Sequence, residues 1–401
     1  MTGSPSKSRL SNDYRPNRTR RQCPGTSALA TVTGQGTNLS TMSAAPSYDG
    51  AGLVNLMAEL EKRLTGTSAS VGLASEMATS IPTTDTYVLV LFDGLGVAQL
   101  SDPGAASFAG SIAGTLHAPF PTTTSVSLAT VATGLSPSQH GQIAHLAWMP
   151  DVGRVVNTLK WVTPSGDTVP YAYASVLPKP NLWERLRSAQ IEPITVQPGD
   201  FAGTPLTRVL YRGARFEGAW DTEDLVKATV QLADEPHRLI FTYVPHVDFA
   251  GHVFGLKSSE FADAMKVATD VWEGLASRLP PGVALIGTAD HGLLEFSQDQ
   301  KMLIRDRRFD DLRFAGDTRG LHLWGDSGLM NELAEATEGS LVDGAELIGP
   351  NPTPQAMSRL GDMLLLAPEN RALIPRGFDK RLRCYHGGLT PAEMEIPLLV
   401  G

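Results

Sequence analysis

Cysteine is nearly absent: Cys23 and Cys384 are the only two in 401 residues. A single pair cannot build the disulfide framework on which small secreted scaffolds depend, and two isolated thiols fit a reducing compartment. Long apolar runs are missing as well. The longest, such as Tyr87–Phe92, are strand-sized and far below the ~20 residues of a membrane-spanning helix. Behind Arg20-Arg21 comes Gln-Cys-Pro-Gly-Thr-Ser, without the apolar core of a secretory signal. The expected location is therefore the cytoplasm. Beyond its N-terminal stretch the chain is also short of positive charge. The net charge is −9, and residues 1–41 alone carry +5, which leaves −14 for the rest. An acidic body lacks the clustered Lys and Arg that backbone phosphates demand, so nucleic acid is excluded as the main partner.

What is present is globular. With 42% hydrophobic and 19% charged residues, the chain can bury enough surface to offset its ordering entropy. Residues 1–48 read as a flexible polar tail containing a possible alternative start at Met42. Leu53, Leu56, Met57, Leu60 and Leu64 have helical spacing. Tyr87–Phe92, Leu239–Val244 and Val283–Gly287 are near-continuous apolar runs, the mark of strands buried on both faces. Helices are predicted after Pro121-Thr-Thr-Thr124, stopping at Gly134, and near Ser258–Leu279. Strands alternating with helices imply an α/β fold: a doubly wound, mostly parallel sheet with helices on both faces. The stretch 301–361, rich in charge at Arg305–Arg313, with a short strand at Leu321–Trp324 and a short helix at Met330–Thr337, reads as a small inserted subdomain. The catalytic core would then be 49–300 and 362–401, with the sheet resuming at Asp362–Ala367.

The acids and histidines fall at the ends of these runs. Asp93 closes one strand, Asp248 and His252 follow a second, Asp290-His291 end a third, and His386 precedes the last apolar segment, Ile396–Val400. In an open parallel sheet such ends share one edge, where ligands bind. Three carboxylates and three imidazoles there suit two divalent metals, zinc or manganese. Thr124 stands at a helix start, where free N–H groups and the dipole favour a phosphoryl group. Metal coordination would lower the pKa of its hydroxyl enough for attack at phosphorus. Each piece alone has a structural explanation. Asp93-Gly94 is also a turn, Thr122–Thr124 a helix cap, and Asp248/His252 a pair on a helix face. His386 could equally be a bonded core histidine, and His140 a residue bonding backbone near a helix end. It is their joint order that points to chemistry.

Four segments resemble the type I phosphodiesterase/nucleotide pyrophosphatase family of the alkaline phosphatase superfamily. They are Phe92-Asp93-Gly94, Phe120–Thr124 through Thr133–Gly141, Asp248–His252 with Asp290-His291-Gly292, and His386–Pro391. The resemblance implies two zinc ions, one held by Asp93, Thr124, Asp290 and His291, the other by Asp248, His252 and His386. It implies Thr124 as nucleophile, a phospho-threonine intermediate, and a small phosphorylated substrate, a diester or nucleotide-like. A phosphomonoesterase is the nearest enzymatic alternative, and a catalytically silent metal-binding protein the alternative of another class. Two departures bear on nucleotide preference and leave the metal set intact. Ser125-Val126 replace the family's Phe-Pro after the nucleophile, and His145 stands where the family carries an Asn that holds a phosphate oxygen. His145 is thus a candidate substrate contact, bonding to backbone beneath the pocket being its structural alternative. Trp148 and Trp161 are the aromatic candidates for stacking a base, with core or pocket-wall packing as the plainer role.

Overall fold

The computed structural model describes residues 45–401; Met42, Cys23 and nearly all of the expected tail lie outside them. Tyr48, at the end of that stretch, is anchored. Its hydroxyl donates to the Leu347 carbonyl at 2.9 Å and accepts from the Phe120 N–H at 3.1 Å.

The Thr86–Phe92 strand is buried along its whole length. Because successive side chains point to opposite faces, burial at every position requires cover on both sides of the sheet. This strand lies at the centre of a seven-stranded sheet ordered 112–117, 395–400, 283–288, 86–92, 238–244, 192–198, 215–219. All neighbours are parallel except the terminal strand Glu395–Val400, which runs antiparallel to both of its partners. Two helix groups cover the sheet. Leu53–Thr65, Thr124–Thr133 and Leu182–Ser188 pack together, as do Thr222–Ala233, His246–Phe254 and Ser259–Arg278.

Register decides where the chemistry emerges. Phe92 pairs with Val244 and Leu91 with Thr288, so Asp93, the 245–252 segment and Asp290-His291 leave the sheet side by side. The reversed direction of Glu395–Val400 brings the residues before it to that same edge. A two-residue ribbon, Tyr385 paired with Leu294, directs His386 toward Asp290-His291.

A second, six-stranded sheet is antiparallel: 340–342, 363–366, 320–324, 313–317, 146–149, 154–157. The strand at Leu321–Trp324 and the helix at Met330–Thr337 fall within its Gly320–Trp324 strand and Ser327–Thr337 helix. The apolar run at 362–367, expected to rejoin the main sheet, belongs here instead. Met363–Leu366 pairs with Gly320–Leu323 and Ser340–Val342. A four-residue apolar strand fits either sheet, and long-range pairing makes the choice. A buried ion pair ties the two sheets together. Arg319, in the turn between 313–317 and 320–324, contacts the Glu393 carboxylate at 3.2 Å, and both side chains are almost fully buried.

Candidate metal centre

The Asp93-Gly94 turn begins the site. Gly94 has φ +75°, and a Cβ there would come within 2.9 Å of the Asp248 backbone. Glycine allows both the left-handed conformation and this close approach. The Asp93 carbonyl accepts the Asp248 N–H at 2.9 Å, and the Gly94 N–H donates to Asp290 Oδ1 at 3.0 Å. The turn therefore fixes the two other aspartates.

Three imidazoles are oriented by backbone. His252 Nδ1 lies 2.7 Å from the Cys384 carbonyl and His386 Nδ1 2.8 Å from the Thr122 carbonyl. His291 Nδ1 lies 3.2 Å from the Gly292 carbonyl. A carbonyl can only accept, so each Nδ1 carries the proton and each Nε2 presents a lone pair. Those lone pairs converge. The Nε2 atoms of His252 and His386 are 3.3 Å apart, and the His291 and His386 rings stack with centroids 3.7 Å apart.

Carboxylate oxygens fill the same space. Asp248 Oδ1 lies 3.2 Å from His252 Nε2 and 3.9 Å from His386 Nε2. Asp93 Oδ1 and Asp290 Oδ2 lie 3.6 and 3.3 Å from His291 Nε2. All three oxygens are buried and have no hydrogen-bond partner. Buried acceptors facing one another without a donor are costly, and a cation resolves the conflict. Donor atoms of Asp248, His252 and His386 lie within 4.8 Å of one another, as do those of Asp93, Asp248 and His291. The residues present thus fit divalent metal ions, with Asp248 common to both groups. Burial, then the carboxylates of Asp290 and Asp248, hold the Asp93 pKa well above its usual range. Burial, then His291 and His252, hold His386 well below. Both directions reflect burial first and like charges crowded without a counter-charge second, a balance that a bound cation inverts.

Thr124 opens the Thr124–Thr133 helix, which Gly134 ends in the left-handed conformation. Its Oγ1 lies 3.2 Å from His291 Nε2, at the edge of the cluster. Every metal-ligand candidate from the sequence, and Thr124, comes to one place.

His145 lies just before the Leu146–Met149 strand of the second sheet. Burial, then the positive charges of His252 and Lys160, push its pKa down to about 4. His140 is a structural residue, as one reading of the sequence had it. Its Nε2 lies 3.1 Å from Thr130 Oγ1 and its Nδ1 accepts the Gln142 N–H. Both tryptophans are engaged by the fold. Trp161 is buried against Tyr171 and Tyr173, and the Arg313 guanidinium sits 3.8 Å over the Trp148 ring. Some supports carried no signal in the sequence. The Tyr243 hydroxyl donates to Asp93 Oδ2. Glu393 receives the Gly388 N–H and the Thr390 hydroxyl and so clamps the loop after His386.

The sequence matches the type I phosphodiesterase/nucleotide pyrophosphatase family over residues 87–326. Among solved structures it is similar to murine ectonucleotide pyrophosphatase/phosphodiesterase 5, with a TM-score of 0.59 and 18% identity over 79% of this chain and 87% of that one. It is also similar to phosphonoacetate hydrolase from Sinorhizobium meliloti 1021, solved with phosphonoformate, with a TM-score of 0.58 and 19% identity over 80% and 91% of the two chains. At such identities the likeness concerns the fold. No curated protein matches the sequence. No helix among the described residues is long and apolar enough to cross a membrane.

Proposed function

The chain belongs to the type I phosphodiesterase/nucleotide pyrophosphatase family, a family of metal-dependent hydrolases, and on that premise we propose that it cleaves phosphodiester or pyrophosphate bonds with Thr124 as nucleophile. The observation that carries this reading is the convergence of three imidazole Nε2 lone pairs and three unpartnered carboxylate oxygens beside the Thr124 hydroxyl. Asp93, Asp290, His291 and Thr124 would hold one cation, and Asp248, His252 and His386 the other. When bound, two divalent cations, zinc or manganese, supply the charge that makes a threonine hydroxyl nucleophilic and stabilises a leaving oxygen.

The rest falls to the chain. The helix start at Thr124 offers N–H groups to the phosphoryl oxygens. Thr124 Oγ1 forms a bond to phosphorus, the bond to the leaving oxygen breaks, and the leaving group takes a proton. Water then attacks the phospho-threonine and restores the hydroxyl. His145, neutral at pH 7, donates to a non-bridging oxygen that gains charge during transfer. Ser125 puts no ring beside the nucleophile, which removes one stacking surface for a base and weakens any preference for nucleotides among the diester and pyrophosphate substrates.

The test is reconstitution. Purified chain stripped by chelator should be inactive and regain hydrolysis with zinc or manganese, at about two ions per chain by elemental analysis. Bis-p-nitrophenyl phosphate should be preferred over p-nitrophenyl phosphate, with AMP esters and phosphonoacetate completing the panel. These last probes follow from related structures that hold AMP or phosphonoacetate. Full activity in chelator with no metal detected would overturn the reading. Stoichiometric metal without turnover would mark a silent binding protein.

A further inference from the structure

His145 is neutral near pH 7, so one ring nitrogen carries its single proton, and the identity of that nitrogen decides what the ring can do. Asn157 lies beside it. The two are brought together by register, because Leu146 pairs with Asn157 in the antiparallel 146–149/154–157 hairpin. Asn157 Nδ2 lies 3.2 Å from His145 Nε2. The amide cannot be turned around, because Asn157 Oδ1 accepts the Leu159 and Lys160 N–H groups, each at 3.1 Å. Turning it would set an NH2 group against two donors. Nδ2 is therefore the donor, His145 Nε2 the acceptor, and the proton sits on Nδ1.

The backbone of His145 is fixed as firmly. Its N–H donates to Asp317 Oδ2 at 3.3 Å, and its carbonyl accepts from the Thr158 N–H at 2.9 Å and the Thr158 hydroxyl at 3.0 Å. The charges of His252 and His386 are coupled to that of the ring.

We infer that Asn157 is a positioning residue, which holds the His145 imidazole in its Nδ1–H form and so makes it a hydrogen-bond donor to the phosphoryl group of the substrate. Swinging the amide away would let the proton reside on either nitrogen and dilute the donor. The inference rests on the hydrolase reading above, and it assigns a task to a residue that touches neither metal nor substrate.

The decisive variant is Asn157→Asp. A carboxylate still accepts the Leu159 and Lys160 N–H groups, so the loop keeps its shape. Toward His145 it can only accept, which draws the proton to Nε2 and strips Nδ1 of its donor role. In metal-loaded full-length protein with 15N-labelled histidine, the His145 signal, assigned by its loss in His145→Gln, should report Nδ1–H in the wild type and Nε2–H in Asn157→Asp. With bis-p-nitrophenyl phosphate, kcat should fall on the order of 10- to 100-fold with KM little changed, at or below the effect of removing an oxyanion donor outright. Asn157→Gln should lose kcat likewise, and in a His145→Gln background Asn157→Asp should cost nothing further. An Nε2–H signal in the wild type overturns the inference whether or not the protein turns over. So does unchanged kcat in Asn157→Asp, or an equal loss in the His145→Gln background. Absence of turnover by metal-loaded wild type would instead remove the hydrolase reading, a result the NMR signal keeps separate.

Discussion

The two sheets contribute to the site by opposite routes. In the central sheet, functional groups leave the strands at their ends. Parallel register aligns Phe92 with Val244, and the aspartates and histidines that follow converge without help from the strand interiors. In the antiparallel sheet, by contrast, the useful groups sit within or beside a hairpin, and cross-strand pairing joins His145 to Asn157. One sheet assembles a charge cluster, the other refines a single hydrogen bond. Ends of parallel strands therefore gather the candidate metal ligands, and lateral pairing fixes the orientation of one imidazole.

The largest expected effect lies on the parallel side. Thr124→Ala should keep fold and metal content and lower kcat/KM on the order of 10³-fold or more, the scale of deleting a nucleophile. Activity within tenfold of wild type would mean that the hydroxyl is not the attacking group.

Next comes the joint between the sheets. Arg319→Met leaves Glu393 buried and unpaired, which should lower stability by about 3–5 kcal/mol in urea unfolding. Removing the more exposed Arg383 from its pair with Glu295 should cost only about 0–1 kcal/mol. Equal losses would show that the buried pair is not the tie it appears in the geometry.

Gly94→Ala addresses the turn itself. An L residue at φ +75° costs about 1–2 kcal/mol of backbone strain, and its Cβ must displace Asp248. Calorimetric metal titration should show weaker binding. Lost stability with unchanged metal affinity would uncouple the turn from the site.

The smallest effect concerns His140. Its pKa, lowered to about 3 by burial and then by the Arg359 charge, lies below the unfolded value of ~6.5. Between those values the unfolded chain binds the extra proton, so this residue's contribution is complete above pH ~6.5 and declines as pH falls. His140→Asn should cost about 1–2 kcal/mol at pH 8 for its two hydrogen bonds, and the gap should narrow on acidification. A gap independent of pH would show that His140 is not buried neutral.

The parallel half of the site was legible in the sequence because strand-end chemistry leaves a local trace. Asp93, Asp248, Asp290 and His291 each follow an apolar run, and direction alone assembles them. His386 was harder to place by physics, since only the antiparallel course of Glu395–Val400 brings it to the same edge. Asn157 left no trace. Its role depends on a pairing partner and on two N–H groups downstream, neither visible in the pattern. Glu393 and Tyr243 read as an ordinary helix acid and an ordinary strand aromatic. The misplaced run at Met363–Leu366 has the same cause, because apolar periodicity states that a strand is buried and not which neighbour it takes.

The position of the last strand has a consequence for how the protein is made. Glu395–Val400 lies between Ile112–His117 and Val283–Thr288, so the 112–117 strand has no sheet to join until residues 395–400 arrive. Chains emerge from the ribosome N-terminus first, so His386 and this strand appear after every other strand of the central sheet. During synthesis the nascent chain therefore carries an open slot beside Val283–Thr288 and an unfinished charge cluster. Closing that slot and completing the cluster therefore wait for the same short segment, residues 386–400, which follows every other candidate ligand along the chain.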